Sequence, residues 1–103
     1  MMTDFITVGK PDDVPEGELR QFQVGGEDVA VANVDGSLHA FGDVCTHAHC
    51  SLSEGDLDGT TVTCPCHGSE FDVTSGDVLA GPAVEPVSSY EVTVEGDELK
   101  IGL

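Results

Sequence analysis

Short hydrophobic segments separated by turn residues run through almost the whole chain. Val, Thr and Phe are frequent in these segments, and in several of them the side chains alternate in size and polarity, as at 29–34. Turn-forming pairs such as Asp35-Gly36, Asp58-Gly59, Ser75-Gly76 and Gly96-Asp97 separate the segments. Short strands punctuated in this way are typical of an all-β sandwich or barrel. The pattern predicts eight strands, at 5–8, 21–24, 29–34, 38–41, 60–63, 70–73, 89–95 and 98–101.

Helix signals are weak by comparison. No long stretch repeats its apolar residues with the 3.6-residue period of an amphipathic helix. The segment 11–18 contains two prolines, one glycine and four acidic residues, which predicts a loop or at most one helical turn. With 103 residues, the chain is expected to form a single domain, 1–103.

Charge narrows the range of partners. Twenty acidic residues stand against three basic ones, which gives a formal net charge of −17. Nucleic acids and anionic membranes would repel such a chain, so neither is an expected partner. The first ten residues do not resemble a secretion signal, and no apolar run is long enough to cross a bilayer. A cytoplasmic protein is therefore expected.

Two cysteine- and histidine-containing segments, 45–50 and 64–69, carry the candidate chemistry. They read Cys-Thr-His-Ala-His-Cys and Cys-Pro-Cys-His-Gly-Ser. Each places a thiolate donor and an imidazole within three positions of each other, and sixteen residues separate His47 from Cys64. Two such turns could hold one metal centre from both sides. The proline and glycine in the second segment favour a fixed, tight loop.

Four interpretations fit these residue types. A structural zinc with two Cys and two His is one, although zinc sites usually group Cys with Cys and His with His. A disulfide framework is disfavoured in a reducing cytosol. A catalytic Cys–His pair has no obvious third group to orient it. The fourth is a 2Fe–2S cluster with two Cys on one iron and two His on the other.

The pattern C-x-H, sixteen residues, C-x-x-H resembles the Rieske iron–sulfur signature. The segments 52–55 and 71–72, which follow the two motifs, are similar to those of the small Rieske ferredoxins that feed bacterial ring-hydroxylating oxygenases. The segment 81–86 resembles the proline loop, including Pro82, that covers the cluster in that family. The resemblance implies a Rieske-like antiparallel β-sandwich or barrel with two cluster-binding loops at one end.

By the same resemblance, each motif contributes one Cys and one His to a single 2Fe–2S cluster. Cys45 and Cys64 would bind the inner iron, and His47 and His67 the outer iron. Neutral imidazole ligands raise the reduction potential: Rieske centres span about −150 to +300 mV, against about −400 mV for plant-type clusters.

Further positions resemble a different branch of the family. Cys50 and Cys66 stand where Rieske proteins of quinol-oxidising cytochrome complexes form a disulfide between the loops. Ser69 matches a serine that donates a hydrogen bond to a bridging sulfide in those proteins, which would raise the potential. Phe71 stands where those proteins carry a tyrosine whose hydroxyl donates to a cysteine sulfur, so that donor is missing here. The resemblance therefore implies a potential above the bottom of the family range.

The function implied by the resemblance is one-electron transfer without a catalytic site of its own. The expected partners are a flavin-containing reductase and the terminal oxygenase of an aromatic-ring dioxygenase system, both bound transiently by a monomer. The alternatives are a Rieske subunit of another oxidoreductase, such as a nitrite reductase, and a small zinc-stabilised interaction module. The acidic residues that flank the loops, including Asp43, Glu54 and Asp56, are expected to steer a basic partner or to belong to a generally acidic surface.

Overall fold

A computed structural model describes residues 5–46, 50–66, 68–81 and 83–102. This part of the chain is built from β-strands, with two short 3-10 helices at Pro11–Asp13 and Leu52–Glu54. None of its helices is long and apolar enough to cross a membrane. The strands are β1 (Phe5–Gly9), β2 (Leu19–Val24), β3 (Glu27–Val34), β4 (Ser37–Gly42), β5 (Asp56–Asp58), β6 (Thr61–Thr63), β7 (Glu70–Asp72), β8 (Val78–Ala80), β9 (Ser89–Glu95) and β10 (Glu98–Gly102).

Six strands form a curved antiparallel sheet in the order β1-β10-β9-β4-β3-β2. The outer strands β1 and β2 approach each other, so the sheet is nearly closed into a barrel. β9 and β10 form a hairpin, with Glu95 opposite Glu98 at the turn. The expected all-β, barrel-like architecture is therefore confirmed.

The remaining four strands form a smaller antiparallel sheet in the order β5-β6-β7-β8. The second Cys/His motif lies in the connection between β6 and β7. The first motif follows β4 of the large sheet and leads through the Leu52–Glu54 helix into β5. Each sheet thus supplies one of the two predicted loops.

Strand β3 is buried on both faces, which explains its run of small and branched apolar residues. Val29 and Val31 belong to a core cluster formed within the large sheet, together with Leu99. Ala30 and Ala32, on the opposite face, belong to a second cluster that joins the large sheet to the small one. Successive side chains of a strand point to opposite faces, so this single alternation serves both cores.

The second cluster reaches the candidate site. It contains two fully buried phenylalanines, Phe41 from the large sheet and Phe71 from the small sheet, and each stabilises the fold by about 1.5–3 kcal/mol through burial. Leu52, Cys45 and Cys64 belong to the same cluster. The core between the sheets therefore extends to the base of both loops.

All eight predicted strands are present, with ends shifted by up to two residues. Two further strands, β5 and β8, have no counterpart in the sequence prediction. β5 reads Asp-Leu-Asp, and acidic residues are depleted in strands. It is a strand because Leu57 pairs with Val62 of β6, a contact that no pattern within β5 indicates.

Candidate metal centre

Both predicted loops are closed at the base by the same backbone hydrogen bond. In the first, the N–H of Cys45 donates to the carbonyl of Cys50 at 2.8 Å. In the second, the N–H of Cys64 donates to the carbonyl of Ser69 at 2.7 Å, and Gly68 donates back to Cys64 at 3.2 Å. The two closing bonds join residues at the same separation along the chain. The two loops therefore begin in equivalent ways at a cysteine.

These first cysteines are buried and unpaired. Cys45 is 0 % exposed, Cys64 is 2 % exposed, and neither forms a disulfide. Both lie in the apolar cluster between the sheets. An apolar, water-poor setting suits thiolate ligands whose charge is neutralised by iron.

The other two cysteines are joined to each other. Cys50 and Cys66 form a disulfide that connects the two loops, with their Cα atoms 6.4 Å apart. This link is between the pair that the sequence resemblance assigned to a disulfide. It leaves Cys45 and Cys64 as the thiols available to a metal in the described part of the chain.

The predicted histidine ligands His47 and His67 lie outside the described residues, as does Pro82. Within the described ranges, no group of three His, Cys, Asp or Glu side chains is placed to hold a metal ion. Of the four predicted ligands, the structure therefore describes the two cysteines, Cys45 and Cys64. One buried free thiol from each of two matched, cross-linked loops fits a cluster that takes one cysteine from each motif.

The segment after β8 contacts both loops. The N–H of Ala83 donates to the buried Ser69 hydroxyl oxygen at 3.0 Å, and the Thr46 hydroxyl donates to the carbonyl of Glu85 at 2.7 Å. Within the described residues, the Ser69 hydroxyl oxygen acts as an acceptor, and no protein acceptor receives its proton. Val84, between the two contacts, is 88 % exposed.

Two residues at the site have roles that differ from the sequence prediction. The sequence predicts that Asp43 is one of the surface acids around the loops. In the structure, however, its side chain is only 1 % exposed. Gly76 is a turn residue in the sequence pattern, and its carbonyl also accepts a hydrogen bond from Val87, directly after the proline loop. Neither position has a local sequence signal for its role, because both depend on contacts with distant segments.

Tyr90 of β9 lines a groove beside the first loop, together with Val44 and Thr46. Its hydroxyl donates to a carboxylate oxygen of Glu27 at 3.1 Å. Partial burial, followed by this hydrogen bond, raises the pKa of Tyr90 above the usual 10.0. The neutral phenol therefore contributes stability that is complete below pH 10 and is lost as the pH rises through the folded-state pKa.

This shift is directly measurable because Tyr90 is the only tyrosine and the chain has no tryptophan. We expect a phenolate absorbance titration of the folded protein to give a midpoint above 10.0 and the same titration in denaturant to return the ordinary value. Glu27→Gln, which removes the carboxylate, should bring the folded midpoint closer to the denatured one. Identical midpoints for the folded and denatured chain would show that the shift is absent.

The amino-acid sequence matches a known protein family and is similar to characterised members of it. The Rieske 2Fe-2S domain family matches residues 4–91. The chain is 42% identical over 92 residues to the 3-phenylpropionate/cinnamic acid dioxygenase ferredoxin subunit of Shigella flexneri, covering 88% of this chain and 86% of that protein. It is 39% identical over 98 residues to the cytochrome b6-f complex iron-sulfur subunit of Chlorobaculum thiosulfatiphilum, covering 95% of this chain but 53% of that protein. The chain thus spans about half the length of the latter.

Solved structures show the same architecture. The ferredoxin of carbazole 1,9a-dioxygenase from Nocardioides aromaticivorans IC177 superposes with a TM-score of 0.90 at 32% identity, over 94% of this chain and 95% of that one. A structure described as a complex of reduced oxygenase and oxidised ferredoxin in carbazole 1,9a-dioxygenase matches with a TM-score of 0.88 at 35% identity, over 95% of this chain and 92% of that one.

Proposed function

The chain belongs to the Rieske 2Fe-2S family, and from this we propose that it carries single electrons to the terminal oxygenase of an aromatic-ring dioxygenase system. Its cofactor is a Rieske-type 2Fe–2S cluster, which when bound accepts and releases one electron at a time. The observation that supports the proposal most is the pair of buried free thiols on two matched loops.

We assign the ligands by motif position. Cys45 and Cys64 bind the inner iron, and His47 and His67 bind the outer iron. The buried position of the two cysteines supports the first half of this assignment. The disulfide between Cys50 and Cys66 holds the loops together while leaving the ligand cysteines unpaired. The segment 81–86, with Pro82, covers the cluster and is held by its hydrogen bonds to Ser69 and Thr46.

The proposed partners follow from the relatives. Several are named as ferredoxin components of dioxygenase systems, and one similar structure is a ferredoxin bound to its oxygenase. The net charge of −17 favours docking on basic partner surfaces. We further propose that a flavin-containing reductase supplies the electron, that residues 1–103 form a single monomeric domain without a catalytic site, and that it works in the cytoplasm.

An EPR-monitored redox titration of the purified protein tests the proposal. We expect a Rieske-type signal on reduction, with a midpoint in the lower part of the family range of about −150 to +300 mV. A midpoint near the top of that range would contradict the oxygenase assignment while leaving the cluster in place. A colourless protein containing zinc would contradict both.

Electron delivery is then tested by mixing the reduced protein with the oxidised terminal oxygenase of an aromatic dioxygenase system. We expect fast reoxidation that slows as the salt concentration rises, because salt screens attraction between oppositely charged surfaces. A cytochrome acceptor from a quinol-oxidising complex serves as the control. Faster reoxidation by that cytochrome would overturn the assignment.

Ser69 provides a test of how the chain sets its potential. We expect Ser69→Ala to lower the midpoint potential, because the hydroxyl proton is proposed to stabilise the more negative, reduced cluster. A hydrogen bond to a charged acceptor is worth about 1.5–3 kcal/mol, and at 59 mV per factor of ten for a one-electron couple the decrease should be about 130 mV or less. EPR-monitored titration of both proteins measures it.

Ser69→Ala also removes the acceptor for Ala83, so loosening of the proline loop needs a control. Thr46→Val removes the other hydrogen bond between a cluster loop and this segment, from the Thr46 hydroxyl to Glu85, with little change in shape. We expect its potential to stay close to that of the unmodified protein. Equal decreases in both variants would show that loop packing, and not a hydrogen bond to the cluster, sets the potential.

A further inference from the structure

Asp43 combines full burial with a position next to the candidate metal centre. It follows β4 directly and precedes Cys45 by two residues. It is the one acidic or basic side chain among the described residues that is fully buried; the other buried polar residues there are Asn33 and Ser69. Burying a carboxylate costs several kcal/mol unless it is hydrogen-bonded or paired. A buried acid at this place therefore needs an explanation.

Three hydrogen-bond donors surround the Asp43 carboxylate. One oxygen accepts from the Gln21 side-chain amide at 2.9 Å and from the Ser51 hydroxyl at 2.5 Å. The other accepts from the backbone N–H of Ser53 at 2.8 Å. No Lys, Arg or His within the described ranges forms an ion pair with it. The charge is thus stabilised by dipoles and is not neutralised by an opposite charge.

The donors to Asp43 come from two places, the exit of the first loop and the large sheet. Ser51 and Ser53 lie just after Cys50, where the chain leaves the loop, and the backbone carbonyl of Asp43 accepts a further hydrogen bond from Leu52 at 2.7 Å. Gln21 belongs to β2 of the large sheet. Asp43 therefore joins the entry of the loop, its exit and the large sheet at one buried point.

We propose that Asp43 is a positioning residue that holds the first cluster loop against the large sheet and that its unpaired negative charge lowers the reduction potential of the cluster. The physical reason is electrostatic. Reduction adds one negative charge to the centre, and a fixed negative charge nearby opposes it. Because Asp43 is buried, water screens the repulsion between its charge and the added electron only weakly. This inference rests on the proposed ligation by Cys45.

Asp43→Asn is the most informative variant, because the network can accommodate it. The asparagine oxygen can still accept from Ser53. Its amide can donate to the Ser51 oxygen, whose proton can then go to the Ser53 hydroxyl 2.8 Å away, and a flipped Gln21 amide presents its oxygen. The substitution thus removes the charge and largely preserves the shape.

The matched control is Asp28→Asn, which makes the same charge change on the neighbouring strand β3. Asp28 is partly exposed, and its carboxylate accepts from the Gln23 side chain alone among the described residues. We expect EPR-monitored titration to give an upward shift of the midpoint for Asp43→Asn that exceeds the shift for Asp28→Asn, with a Rieske-type signal in both. Equal shifts, or a downward shift for Asp43→Asn, would overturn the proposal.

A second variant decides the matter if Asp43→Asn does not assemble a cluster. Ser51→Ala keeps the charge and removes one of its donors, so the carboxylate is less compensated and the midpoint should fall. An unchanged midpoint in Ser51→Ala would then overturn the electrostatic role. Failure of this proposal and failure of the proposed electron-carrier function give different results. If this proposal is wrong, the Rieske-type signal is present but the midpoint does not shift as expected. If the electron-carrier function is wrong, the unmodified chain itself lacks the signal.

Discussion

Replacing Cys64 by alanine is expected to abolish the cluster. Cys64 is buried, at the start of the second loop, and one of the two thiols available to a metal in the part of the chain that the structure describes. The purified Cys64→Ala protein should lack the Rieske-type EPR signal. Its iron content should be below two atoms per chain, the content of a 2Fe–2S cluster. Alanine leaves only a small void in the core, so the loss would reflect the missing thiolate and not unfolding.

The control is the disulfide that connects the two loops. The double variant Cys50→Ala/Cys66→Ala removes the disulfide without touching a proposed ligand, and it avoids leaving one unpaired thiol that could compete for iron. We expect it to keep the Rieske-type signal while losing the signal faster on heating, because the two loops are no longer cross-linked. If the double variant lost the cluster and Cys64→Ala kept it, the ligand assignment would be wrong.

The second large effect is expected at Gly76, which forms the turn after β7. Its φ is +84°, a conformation that costs an L-residue about 1–2 kcal/mol. In addition, a Cβ at this position would overlap the carbonyl oxygen of Val87, which belongs to the core between the sheets. Because that oxygen is backbone, it cannot move without shifting the end of the proline loop. We expect Gly76→Ala to destabilise the fold by at least about 3 kcal/mol.

Gly26 separates the two causes of this loss. It has nearly the same φ, +85°, but a Cβ there would meet no atom within 4 Å. Gly26→Ala should therefore cost only the backbone term of about 1–2 kcal/mol. Thermal unfolding of the cluster-loaded proteins measures both, at roughly 4–8 °C per kcal/mol for a domain of this size. Equal decreases for the two variants would show that the contact with Val87 contributes nothing.

Most of the strands can be predicted from local patterns because the information they need is local. Alternation along β3 and the turn residues before β4 depend on neighbouring residues only. The same holds for the two Cys/His motifs, in which each pair of proposed ligands lies within three positions of the other. The all-β, barrel-like fold is therefore predictable from local patterns. The two motifs by themselves leave the kind of metal site open, and the resemblance to the Rieske signature implies the cluster.

Pairing between distant segments is not predictable in this way. Asp43 is buried where Gln21, 22 residues earlier in the chain, donates to its carboxylate. An acidic residue in a chain with twenty acids has no sequence feature that separates a buried position from an exposed one. Burial is a property of the assembled sheets.

The family of the site is encoded in the residue types, their spacing and the alternating strands that carry them, all of which are present in the linear sequence. The folded chain, in contrast, sets which cysteines are joined and which stay free, buries Asp43, and brings the carbonyl of Val87 against Gly76. The physical reason is that these features are contacts between segments far apart in the chain. Their energies depend on close packing and on hydrogen bonds that exist only once both sheets have formed.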